Sequence, residues 1–91
     1  MKEGGKIRRN EEVVYRELAA GEGAVLLHAG SGAYHGLNVT GSLIWSLIDG
    51  DRTRDDIVRE LRARLDDPPS GIEGDVEHFL DDLRQRKLIQ E

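Results

Sequence analysis

The hydrophobic period of this chain changes once, at Asn38. Before it, short apolar runs such as Val13-Val14-Tyr15 and Ala24 to His28 have the residue types and lengths of strands. After it, Leu43, Ile44, Leu47 and Ile48 recur at helical spacing. A length of 91 residues allows one small domain with a thin core, so both halves must pack on each other. The expected fold is α+β and winged helix-turn-helix-like, a three-stranded antiparallel sheet followed by three helices. Residues 1–11, basic at Lys2, Lys6, Arg8 and Arg9, are expected as a flexible tail, and residues 12–91 as the domain.

The first strand is expected over Glu12 to Leu18, ended by Gly21 and Gly23. Ala24 to His28 and Ala33 to Leu37 flank Gly30-Ser31, a pair suited to the centre of a tight hairpin turn. That centre sets Leu26 opposite His35 and Leu27 opposite Tyr34. Asn38 or Thr40 is expected to cap the first helix and Gly50 to stop it. Thr53, followed by Asp55 and Asp56, opens the second, whose buried stripe is Ile57, Val58, Leu61 and Leu65. Pro68-Pro69 breaks the chain, and Ser70 with Glu73 forms a capping-box pattern for the third. There Ile72, Val76, Phe79, Leu80 and Leu83 draw one apolar stripe. Leu88 and Ile89 are expected to close the core.

Catalytic chemistry has little to stand on. The four serines, Ser31, Ser42, Ser46 and Ser70, lie in no nucleophile-elbow pattern. His28 and His35 fall diagonally on one hairpin face, yet His78 is remote, so the three do not make a metal set. Asp49-Gly50-Asp51 lacks the remaining spacing of a calcium loop, and the acid pairs Asp66-Asp67 and Asp81-Asp82 do not converge. With no cysteine and no apolar run long enough to span a bilayer, the reading is a cytoplasmic protein with no enzyme activity, no cofactor, no metal and no membrane. A DNA-reading third helix would need basic or amide side chains. From Ser70 to Leu83 this one carries Glu73, Asp75, Glu77, Asp81 and Asp82 and no Lys or Arg, so nucleic acid is not expected. Arginines around helix two keep a winged-helix DNA-binding regulator as an alternative, beside a plain adaptor.

The stretch Tyr34-His35-Gly36-Leu37-Asn38-Val39-Thr40-Gly41-Ser42-Leu43-Ile44-Trp45 resembles the PqqD-like family, with its Tyr…Leu-Asn-x-Thr-(small)-x-x-Ile-Trp signature. Leu47 to Gly50, Arg52-Thr53, Ile57-Val58, Asp75-Val76, Phe79-Leu80 and Leu83 continue the likeness, which spans roughly residues 12 to 90. Val39 stands where an acidic residue is common, and Lys87 where glycine is frequent. The resemblance implies recognition of the leader segment of a ribosomally made precursor peptide, most like a stand-alone lasso peptide B1 protein. The implied partners are that peptide, a leader peptidase and a cyclase. A chaperone delivering a precursor to a radical SAM enzyme is the alternative within the family.

In a simple meander the third strand is an edge, open to an added peptide strand. The family's use of this strand with the third helix implies a site at Ala33, Tyr34, His35, Gly36 and Leu37. Asp75, Val76, Phe79, Leu80, Asp82, Leu83 and Arg86 would face it. An open edge also admits a weak dimer of an otherwise monomeric chain.

Overall fold

The computed structural model describes residues 5–19, 21–65 and 70–90. Strands β1 (Arg8–Arg9), β2 (Val13–Glu17), β3 (Ala24–His28) and β4 (Tyr34–Leu37) come first. Helices α1 (Val39–Ser46), α2 (Arg54–Arg64) and α3 (Ile72–Gln85) follow, then β5 (Ile89–Gln90). The three-stranded antiparallel sheet runs β2-β3-β4, a meander whose β4 is an edge. The expected hairpin register holds, with Leu26 opposite His35 and Leu27 opposite Tyr34.

One face of this sheet is inside. Ala24, Leu26 and Leu37 join Ile44, Trp45, Leu47, Ile57, Leu61, Val76, Leu80 and Leu83 in a single core. Val14 and Tyr34, which alternation places on the other face, are exposed.

The N-terminal segment corrects the expected tail. Ile7 is completely buried, and Arg8 and Arg9 pair antiparallel with Gln90 and Ile89 in a second small sheet. Ile7 also exchanges backbone bonds with the loop after α1: its N–H donates to Arg52 and its carbonyl accepts from Gly50. The ordered domain therefore starts before residue 12. A single apolar residue among cations gives no periodic signal, but its burial removes a whole side chain from water.

The helix ends depart from expectation in two places. Asn38 is the N-cap of α1, its Oδ1 accepting from Gly41 N–H at 2.7 Å. The helix stops at Ser46 rather than at Gly50, because Leu47 and Ile48 N–H turn to carbonyls three residues back. At α2, Thr53 is the N-cap, as expected, and it forms a reciprocal capping box with Asp56. At α3 the cap is Gly71, left-handed at φ 85°, and no side chain caps the helix. Ser70 therefore does not serve, and Glu73 pairs with Arg62 at 2.6 Å instead of reaching back. The Pro68-Pro69 break and the Asp66-Asp67 pair lie outside the described residues, as do positions 1–4.

The end of α3 is a Schellman turn. Lys87 N–H donates to Arg84 and Leu88 N–H to Leu83. This turn needs a left-handed residue, and Lys87 supplies it with φ 64°. A β-carbon costs energy in that conformation, which explains why glycine suits the position. Lys87→Gly is expected to stabilise the fold by about 0.5–1 kcal/mol, read by urea denaturation.

Candidate functional site

The site begins with the polarity of the β4 edge. His28 N–H donates to the Ala33 carbonyl at 2.9 Å. In an antiparallel ladder bonded pairs alternate, so Leu26–His35 and Ala24–Leu37 bond to each other across β3 and β4. The residues between them, Tyr34 and Gly36, turn their N–H and C=O away from β3. Two residues thus present a ready pattern of donors and acceptors along the open edge.

Side chains alternate the other way. Leu37 is buried, and His35 is half-buried on the same inner face. Tyr34 is 72% exposed and lies with Val14, Val25 and Leu27 on the outer face. Gly36 has nothing within 4 Å of the place a β-carbon would take. Nothing inside the fold therefore demands glycine there.

The end of α3 closes the inner side of this edge. A depression of about 240 Å³ lies between them, lined by His28, Ala33, Tyr34, His35, Arg86 and Leu88. Arg86 pairs with Asp82 one turn back, Nε to Oδ2 at 3.1 Å. Partial burial, and then the Arg86 charge, hold the His35 imidazole below its usual range, with Asp82 opposing. His28 is spoken for: its Nδ1 accepts from Ser31 N–H at 3.2 Å, and its Nε2 lies 3.4 Å from Asn10 Nδ2.

The His35 shift has a sign that can be tested. The unfolded imidazole takes up a proton first as pH falls below 6.5, while the folded one resists. Its contribution to stability is whole above that pH and is lost progressively below it. His35→Gln is expected to flatten the decline in stability between pH 7 and 5, followed by denaturation at each pH.

A second depression, about 340 Å³, lies beyond the other end of β4 where α1, α2 and α3 meet. Ile44, Leu61, Leu65, Ile72, Val76 and Phe79 give it apolar walls; Asn38, Thr40, Gly41 and Asp75 complete the lining. Phe79 is half-buried against the core. Asp75 and Arg86 are exposed, and Asp82 is half-buried.

Of the twelve residues expected at the site, Leu37, Val76, Leu80 and Leu83 are core, at 4, 1, 0 and 0% exposure. Phe79 and Asp82 on α3, and Arg86 at its C-cap, keep part of their surface exposed. Reasoning from the sequence missed the part supplied by Asn38, Thr40 and Gly41 and by the end of α2. Their one signal is position: Asn38 to Gly41 directly follow the strand. The exposed positions of α3 before Arg84 include the acids Glu73, Asp75 and Glu77 and no Lys or Arg. The helix-two arginines are engaged, Arg54 with Glu77 and Asp81, Arg59 with Asp56, Arg62 with Glu73 and Arg64 with Glu60. No helix among the described residues is long and apolar enough to cross a membrane.

A family model described as "Coenzyme PQQ synthesis protein D (PqqD)" matches residues 23–89. A solved structure described as "TbiB1 in Complex with the TbiA(beta) Leader Peptide" is 30% identical, with a TM-score of 0.76 over 91% of this chain and 94% of that one. Another, "Lasso peptide synthetase B1 complexed with the leader peptide", is 22% identical, with a TM-score of 0.78 over 96% and 100%, and shares the fold. No curated protein matches the chain.

Proposed function

This chain belongs to the PqqD family, and from that premise we propose that it captures the leader segment of a ribosomally made precursor peptide for lasso peptide biosynthesis. The observation that carries the reading is the open β4 edge, with Tyr34 and Gly36 turning their backbone groups outward beside α3. The leader adds to β4 as a further strand. Its backbone bonds to Tyr34 and Gly36, and side chains on the inner face meet His35, Phe79, Asp82 and Arg86. Ala33 and Asp75 mark the two ends, while Leu37, Val76, Leu80 and Leu83 hold the floor from inside.

The domain acts by binding alone and delivers its guest to a leader peptidase and a macrolactam-forming cyclase in the cytoplasm. The 30% identity to a B1 protein bound to its leader favours this setting over delivery to a radical SAM enzyme. A guest strand and a second copy of the chain would compete for the same edge, so the loaded form is a monomer. A duplex-reading role has poor support, because from Ile72 to Leu83 helix α3 offers no Lys or Arg to a phosphate.

The test is an NMR titration of labelled protein with synthetic leader peptides of lasso precursors. Saturable shifts confined to 33–37, 38–41 and α3 are expected. An unchanged spectrum at high peptide concentration would refute leader capture.

A further inference from the structure

Helix α1 begins beside the edge strand, and its third residue is glycine. An ideal β-carbon at Gly41 would lie 3.3 Å from both Cε1 and Cζ of Phe79 and 3.2 Å from Asn38 Oδ1. These are tighter than ordinary carbon contacts, so one neighbour would have to yield. Asn38 is fixed, because its Oδ1 is the cap that accepts the Gly41 N–H at 2.7 Å. Phe79 is half-buried and belongs to the wall of the 340 Å³ depression. The ring would move.

We infer that Gly41 is a positioning residue for guest recognition: its bare Cα seats the Phe79 ring on the first turn of α1 and so keeps the neighbouring apolar depression open for a large apolar side chain of the guest. The inference rests on the leader-capture reading and extends it to a glycine in the lining of that depression that acts through the Phe79 ring. Glycine in a helix loses more backbone freedom than alanine, a cost that the seating of Phe79 offsets. A role in the fold alone would leave leader affinity unchanged in a folded G41A variant.

The experiment is a double-mutant cycle on the full chain, using calorimetric titration with the synthetic leader peptide. The variants are G41A, F79L and G41A/F79L. Leucine lacks the two ring carbons that the added methyl would press. G41A is expected to bind about tenfold more weakly than the parent chain, and to change affinity by less than about twofold when added to F79L. Its melting temperature should hold or rise by about 2–5 °C. If the methyl disturbs the Asn38 cap and lowers melting, the cycle still decides, since that loss acts equally in both backgrounds. Equal binding by G41A and the parent chain would overturn the inference, as would an equal loss in both backgrounds. Absence of binding by the parent chain would instead refute leader capture itself.

Discussion

Gly36→Pro should abolish peptide capture and leave the fold standing. The Gly36 N–H points away from β3, so its loss breaks no bond of the sheet. Proline is tolerated on an edge strand when its missing N–H faces outward. A fold cost on the order of 1 kcal/mol is expected from the narrowed backbone, read by urea denaturation. The guest loses a donor in the middle of a short ladder, and the ring occupies the line of approach. Affinity should fall by at least about a hundredfold, near 2.7 kcal/mol, measured by calorimetric titration. His35→Pro is the contrast. It removes a donor that faces β3 and leaves a carbonyl unpaired, a cost of about 1–3 kcal/mol to the fold itself. Should Gly36→Pro bind the leader as the parent does, strand addition at β4 is wrong.

Phe79→Ala should weaken binding more than folding. The ring is half-buried, packed on the core from one side and lining the depression from the other. Full burial of a phenylalanine makes truncation cost about 3–5 kcal/mol, so a loss of about 1–2 kcal/mol in stability is expected here. An aromatic anchor for a flexible guest carries a large share of its affinity, and a loss of about 2 kcal/mol or more, roughly thirtyfold, is expected in titration. Leu80, buried completely one position on, sets the scale. Leu80→Ala should cost about 2–5 kcal/mol of stability. If the leader affinity of Phe79→Ala falls only in proportion to its unfolded fraction, the ring is core alone.

These two residues also mark what was legible in the sequence. The hairpin register was legible because Gly30-Ser31 sits between two apolar runs, but the two-residue turn with a positive φ at Gly30 was not right: the loop is Ala29 to Gly32, and Gly32 carries the positive φ of 76°. The opening of α2 was legible because Thr53 and Asp56 carry their own chemistry of capping. Ile7 was hidden, since one buried residue has no period and its neighbours are charged. The stripe of α3 was legible as apolar, but pattern alone could not divide it. Val76, Leu80 and Leu83 went to the core, and Phe79 to the wall of the depression where α3 meets α1 and α2. Asn38, Thr40 and Gly41 went unassigned as site residues because capping already accounted for Asn38. That Phe79 lies over Gly41 is a tertiary fact.

The shortness of β4 has a kinetic meaning. Within β4, Tyr34 and Gly36 are the two residues that turn both groups outward, so a guest strand gains about four backbone bonds along it. Each such bond nets about 0.5–1.5 kcal/mol once water is displaced, and ordering a flexible peptide takes back a comparable amount. The edge therefore aligns the peptide, and a few side-chain contacts determine how long it stays. Differences in affinity among related complexes lie mostly in the rate of departure. On the proposed reading, a cargo held by so few rungs exchanges readily, as the proposed handover to an enzyme requires.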